Sequence, residues 1–371
     1  MTWKQIDPSQ TPWDGTRASW MSQLPDDLAV QDLSVPGTHD SAALLGFTHA
    51  NVSVTQNMKI EDQLNSGVRF LDLRVKIMFS HRGLAMYHGI DAIYDPDHPH
   101  TLDQLYYKAV IQKCVDFLKA RPNEGIIISL KSEGDTEYQG WTLEDWFRQI
   151  ANEVAADNPP GTWDRWWKYP SNVNAKLKDI RGKLLLWRRF PRGCTHFSLD
   201  TSTPFALDLT PMNVKYDNTT GASWYTPDGG YSYVQDNYTK TTNADKFSYW
   251  YNTYIKAFDS RWMTNEPDWN RQYINFSSVG AGKNPSDYSD VLNVALNRWL
   301  AAVESGKDGN GNDLGGRALR TGVGVIPMDF PSQDNIDHLI RANFGWTHRV
   351  AETQQGLAFV SGIRDWVKAQ G

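Results

Sequence analysis

The chain has 371 residues, a formal net charge of −6, 40% hydrophobic and 22% charged residues. That much apolar material fills a core and excludes a disordered chain, while the acidic balance (pI near 5.8) excludes the concentrated basic face that nucleic acids require and argues against broad adhesion to anionic membranes. No run approaches about eighteen apolar residues, so no segment reads as a membrane-spanning helix.

Sixteen Trp and sixteen Tyr are many for this length. Such rings line sugar-binding clefts and sit at membrane interfaces, and they also simply pack. Two cysteines, Cys114 and Cys194, are too few for a disulfide framework, and free thiols are expected. The first ten residues, MTWKQIDPSQ, lack a basic region followed by an apolar stretch, which leaves a cytoplasmic protein and a mature secreted one both open. Without a Pro/Ser-rich linker, residues 1–371 read as one domain. Its parts are an irregular lead over 1–30, a main body over about 31–345, and a C-terminal helix over about 350–371.

The first predicted strand, Leu33 to Val35, is expected to stop at Pro36 and Gly37 and to leave His39 and Asp40 at its C-terminal end. Histidine titrates nearest neutrality, so a positioned one can take or give a proton. Val68 to Ile77 alternates as a second strand, with Phe70, Asp72 and Arg74 on one face and Leu71, Leu73 and Val75 on the other. Leu84 to Gly89 is a short strand ending in His88. Leu102 to Ala120 has helical spacing, and Gly125 to Leu130 is the continuous apolar run of a strand covered on both faces; it delivers Lys131 and Glu133.

A helix is expected over Trp141 to Ala156, and Pro159 to Pro170, with Trp163, Trp166 and Trp167, reads as a protruding loop able to dip into lipid. Lys183 to Trp187 is a buried strand ending in Arg188 and Arg189. A Thr/Asn/Tyr/Gly-rich stretch without clear period follows to about Asp228. Then come YVQDNY from Tyr233 to Tyr238, a helix from Ala244 to Trp262, a strand from Tyr273 to Val279, and a helix from Tyr288 to Val303. A last strand, Gly322 to Met328, ends in Asp329, and helices from about Asn335 and Gln354 close the chain. Some eight strands separated by helices imply an α/β fold, a (β/α) barrel with its active site at the strands' C-terminal ends. His39, Asp72, Arg74, His88, Lys131, Arg189, Asp236 and Asp329 all fall at or near such ends, a repetition that points to a shared site.

The ordered motifs LSVPGTHDS, QLNSGVRFLDLRV, MYHG, ARPNEGIIISLKSE, GKLLLWRRF, VQDNY, YINFSS and VIPMDFP resemble the bacterial-type phosphatidylinositol-specific phospholipases C, from about Trp20 to Asn343. The resemblance implies a distorted TIM-type barrel with insertions between the later strands. It also implies cleavage of phosphatidylinositol to diacylglycerol and inositol 1,2-cyclic phosphate, at a membrane surface touched only transiently, by a secreted monomer. Glycosyl-phosphatidylinositol anchors stay open as substrates. By the family's pattern, His39 matches the general base and Asp329 its orienting carboxylate; His88 matches the general acid, assisted by Asp40. Arg74 matches the phosphate contact, held by Asp72. Lys131, Arg189, Asp236 and Tyr238 match the inositol pocket, with the register around Asp236 made uncertain by the insertions.

No cofactor or metal is expected. Two alternatives stay open: a metal-dependent glycerophosphodiesterase or sphingomyelinase D-like phosphodiesterase, and a non-catalytic lipid- or inositol-phosphate-binding barrel. His81-Arg82-Gly83 matches the HRG of glycerophosphodiester phosphodiesterases but falls in a turn instead of on a first strand. Asp308 to Asp313, DGNGND, resembles a calcium loop but has Asp313 where that loop needs Gly and Leu319 where it needs Glu, and reads as a solvated loop.

Overall fold

A computed structural model describes residues 12–370, except 45–51, 79–82, 102, 155–164, 172, 198–204, 216, 227–229, 240, 263–270, 281–282, 320–321 and 346. The main sheet contains β1 (Ser34–Thr38), β2 (Phe70–Met78), β3 (Gly83–His88), β4 (Gly125–Ser132), β5 (Lys183–Arg189), β6 (Leu207–Asp208), β7 (Ala222–Tyr225), β8 (Tyr231–Gln235), β9 (Arg271–Asn275) and β10 (Gly324–Met328). Its path runs β6-β5-β4-β2-β1-β10-β9-β8-β7, with β3 hanging antiparallel from β2 and β7 antiparallel to β8. Every other pair is parallel. The result is a distorted TIM-type (β/α) barrel whose ladder is interrupted between β6 and β7, where the Trp224 indole reaches across to donate to the Asp208 carbonyl at 2.9 Å.

The longer helices are α1 (Ile60–Asn65), α2 (Tyr107–Ala120), α3 (Leu143–Val154), α4 (Asn243–Trp262), α5 (Pro285–Ser305), α6 (Gln333–Arg341) and α7 (Gln354–Ala369). The middles of β4 and β5 are continuous apolar runs, as strands covered on both faces require; Ile126, Ile127, Ile128, Leu184, Leu185 and Leu186 are all buried. At the strands' N-terminal ends the lead segment closes the barrel. Trp20 is fully buried and donates to Gly67, and the buried Arg69–Glu124 pair ties the backbone of Ala18 and Ser22 to β2 and β4.

Three expectations about elements are corrected. Pro36 and Gly37 lie inside β1. The Pro36 carbonyl accepts from Arg69, so an amide at residue 36 would face the Gly67 carbonyl, and that carbonyl takes the Trp20 indole instead. No ladder bond is lost. Gly37 is small because a Cβ would stand 2.9 Å from the Phe70 ring, and the sharp exit comes three residues later, at Asp40 with φ of 41°.

The second correction concerns α2, which starts at Tyr107. Leu105 exchanges hydrogen bonds with Ile93 and Met86, holding this segment extended beside β3. Third, the aromatic segment before β5 lies at the wrong end of the barrel for a lipid contact. Trp167–Lys168 pairs with Leu184–Leu185 at the start of β5, whereas the polar cluster gathers at its end, and Trp167 is buried. Trp163 lies outside the described residues, as do His81 and Arg82. Residues 308–313 form an exposed turn organised by Asp308, whose carboxylate accepts from the backbone of Asn310 and Asn312. Cys114 and Cys194 are free, the second donating to Asp145.

Candidate active site

The C-terminal ends of the strands converge on a pocket of about 310 Å³ lined by His39, Arg74, His88, Lys131, Arg189, Asp236, Tyr238 and Asp329; Asp40 and Asp72 lie buried beneath it. All ten residues singled out in the sequence are therefore together, from seven strands and the loops that follow them.

β1 and β10 are paired along their length, so the residues that leave their ends, His39 and Asp329, emerge side by side. His39 Nδ1 and Asp329 Oδ1 are 2.7 Å apart, and His39 Nε2 is 2.6 Å from Arg74 Nη2. A guanidinium has no lone pair to offer, so Nε2 must accept. This fixes His39 as a neutral imidazole whose Nδ1–H donates to Asp329. Burial and the neighbouring Arg74 charge hold its pKa well below the ordinary 6.5. Burial pushes the Asp329 carboxyl up, and the hydrogen bond from His39 works against that rise. Gln56 and Thr55 grip the backbone carbonyls of His39 and Asp40 and fix the turn that carries both side chains.

His88, at the end of β3, stands with its ring centroid 6.1 Å from that of His39 and nearly perpendicular to it. Its Nδ1 is 2.8 Å from the Ser53 carbonyl and 3.3 Å from Asp40 Oδ2. A carbonyl only accepts, so Nδ1 carries a hydrogen and Nε2 is left to give or take a second one. Burial raises the Asp40 carboxyl, which lies beside His88 and Arg74, to about 6.

Arg74 is the hub. Its guanidinium meets Asp72 at 3.1 Å, Glu133 at 3.3 Å and Asp40 at 3.6 Å. Asp72 also accepts from Arg189 at 3.0 Å and from the Ser129 hydroxyl at 3.2 Å. Burial alone would raise Asp72, but Arg74 and Arg189 hold it below the usual carboxylate range. The carboxylate thus braces two arginines from β2 and β5, the strands on either side of β4.

Around this hub sit further polar groups. Lys131 donates to Glu133 at 2.9 Å, and Arg189 is steadied by Asn213 at 3.1 Å. Asp236 follows β8 directly, and its carboxyl, raised by burial, faces the pocket. Tyr238 donates to Asp217, which with burial pushes its phenol up to about 12. Two charged lining residues, Glu133 and Asp217, had no role in the sequence reading. Glu133 was visible at a strand end, whereas Asp217 lies in the stretch without period and carried no signal. Among the described residues no group of His, Cys, Asp and Glu side chains is arranged to hold a metal ion.

The chain is similar to proteins of one family. Residues 42–190 match the model of the phosphatidylinositol-specific phospholipase C X domain. The 1-phosphatidylinositol phosphodiesterase of Listeria monocytogenes is 26% identical over 337 residues, spanning 88% of this chain and 86% of that protein. The solved Listeria phosphatidylinositol-specific phospholipase C superposes with a TM-score of 0.61 at 23% identity, covering 88% of this chain and 99% of that one. The Staphylococcus aureus enzyme, solved in a study of its membrane binding, gives 0.64 at 21% identity, covering 90% and 99%. The X-domain match spans β2 to β5 and the relatives align along most of the chain, so in sequence and fold the chain is similar to the bacterial-type phosphatidylinositol-specific phospholipases C, the X-domain family.

Proposed function

We propose that this protein cleaves phosphatidylinositol at a membrane surface to diacylglycerol and inositol 1,2-cyclic phosphate, as one catalytic unit over 1–371 and with no metal ion. The observation that carries the reading is the His39 tautomer: an imidazole with Nδ1–H committed to Asp329 and its Nε2 lone pair directed at Arg74. A phosphate anion in the pocket is a stronger partner for Arg74 than a neutral imidazole nitrogen. Once the guanidinium turns to it, Nε2 is free to accept a proton.

The reaction then follows from the residues. The inositol 2-hydroxyl gives its proton to His39 Nε2 as its oxygen bonds to phosphorus, and Asp329 stabilises the imidazolium formed. Arg74 neutralises the charge gathering on the phosphoryl oxygens, braced by Asp72. The bond from phosphorus to the glycerol oxygen breaks as His88, in its doubly protonated form beside Asp40, delivers a proton to that oxygen. Slow hydrolysis of the cyclic product reverses the roles, with His88 taking the proton of water. Lys131, Arg189 and Asp236 bind ring hydroxyls, and the Tyr238 ring packs on the sugar face.

The glycerol must leave on the His88 side, where Ile90 is 78% and Val52 48% exposed. Transient bilayer contact belongs at this rim. Extracellular action on free phosphatidylinositol fits such a surface; action on glycosyl-phosphatidylinositol anchors would use the same headgroup contacts. Assays on phosphatidylinositol, phosphatidylcholine and sphingomyelin vesicles test the reading: a water-soluble inositol phosphate should appear from the first alone. His39→Ala and His88→Ala should each lower kcat by about 10²- to 10⁴-fold with the circular dichroism spectrum unchanged. Turnover of choline lipids, or a folded variant retaining more than about a tenth of the wild-type rate, would refute it.

A further inference from the structure

Lys246 is fully buried on α4, away from the pocket lining, yet its ammonium reaches the strand end that carries Asp236. Its Nζ donates to the Asn237 carbonyl at 2.8 Å and to Gln235 Oε1 at 3.1 Å, bracketing Asp236 in sequence. Gln235 in turn donates to Asn275 and to the Phe276 carbonyl, each at 2.8 Å, and Asn275 donates to the Trp250 carbonyl at 2.9 Å. The network therefore joins α4 to the ends of β8 and β9. Hydrogen bonding alone does not require a cation here, because a neutral amide could satisfy both acceptors without the cost of burying a charge.

The charge has a use in the surroundings. Asp236 and Asp329 are both buried at the pocket, and burial raises both carboxyls; Lys246 opposes the rise at each, as do Arg74 at both and Arg189 at Asp236. Asp72 pushes Asp236 further up, and Asp40 and Asp236 do the same to Asp329. Asp245, next to Lys246 on α4, is occupied by Thr242 at 2.8 Å.

We propose that Lys246 is a positioning residue for the phospholipase C reaction, fixing the 235–237 turn and keeping Asp236 and Asp329 ionised so that one binds ring hydroxyls and the other orients His39. The inference rests on the reaction proposed above, but its primary readout does not. In carbon-13 carboxyl titrations of the full chain, Lys246→Met and Lys246→Gln should raise the pKa of both Asp236 and Asp329 by about one unit or more, and Lys246→Arg should restore them. The acidic limb of kcat/KM on soluble inositol 1,2-cyclic phosphate should move to higher pH in step, with a loss of about tenfold or more at pH 7.

Carboxyls that titrate as in the wild type, with an unmoved limb, would overturn the proposal even if the rate fell, because a strut alters amplitude and not protonation. Should the neutral variants fail to fold, nitrogen-15 lysine titration of the wild type decides instead: both carboxyl signals should respond as Lys246 loses its proton, at a pH below the surface lysines, and signals indifferent to it would overturn the proposal. A wild type that cleaves no phosphatidylinositol would remove the reaction while leaving these titrations to decide the electrostatic role.

Discussion

His39 is held neutral by burial and by Arg74, and this sets the sign of its pH dependence. A base must be unprotonated to act, so the acidic limb of kcat/KM should lie below pH 6.5, shifted down from where a solvated histidine would put it. A pH–rate profile on the soluble cyclic phosphate checks this; a limb at or above 6.5 would contradict it. Asp40 carries the opposite sign. Its carboxyl goes from 3.8 unfolded to about 6 folded, so the folded state holds the proton more tightly, and the stability this gives below pH 3.8 is lost as pH rises through 6. Asp40→Asn should therefore stabilise the protein at pH 7, by on the order of 1–3 kcal/mol, with the gain vanishing towards pH 4 while kcat falls. Denaturant melts at both pH values measure it. These side chains were legible in the sequence because each follows a strand, a position that barrel topology turns into proximity: His39 and Asp329 are 290 residues apart and share a hydrogen bond. Asp217 was not, because no period marks its segment, and its link to Tyr238 depends on a loop conformation that composition does not encode.

At the scale of elements, strand patterns transferred well and their ends did not. An apolar run such as Gly125 to Leu130 specifies burial on both faces, but Pro36 and Gly37 read as a stop only if their neighbours are unknown; the Trp20 indole and the Phe70 ring are what make them fit inside a strand. Aromatic clusters are ambiguous in the same way. Trp166 and Trp167 read as an interfacial loop, yet the register of Trp167–Lys168 against Leu184–Leu185 puts them beside the start of β5. Leu184, the partner of Trp167, is five positions from Arg189, roughly 16 Å of strand. Trp166→Ala should accordingly leave vesicle binding unchanged, whereas Ile90→Asp, at the rim beside His88, should weaken it about tenfold and spare hydrolysis of the soluble cyclic phosphate. Centrifugation with phosphatidylinositol-containing vesicles separates the two. Loss of binding in the first variant and not in the second would return the lipid contact to the opposite end.

The whole molecule separates stability from chemistry along the barrel axis. One end is closed by the lead segment and the buried Arg69–Glu124 pair; the other gathers Asp72, Arg74 and Arg189 with the two histidines, where charge is left facing a pocket. A metal-dependent relative would need several oxygen ligands at the phosphate, whereas here Arg74, midway along β2, presents a permanently charged guanidinium that meets Asp72 and Glu133. The direct test of this account is phosphorus NMR of the products formed from phosphatidylinositol vesicles, followed in time with and without excess chelator. The cyclic phosphodiester resonance of inositol 1,2-cyclic phosphate should appear first, at the same rate in both samples, and give way slowly to the monoester. A reaction that stops in chelator and returns with calcium or magnesium, or one that yields phosphatidic acid without any cyclic intermediate, would contradict it.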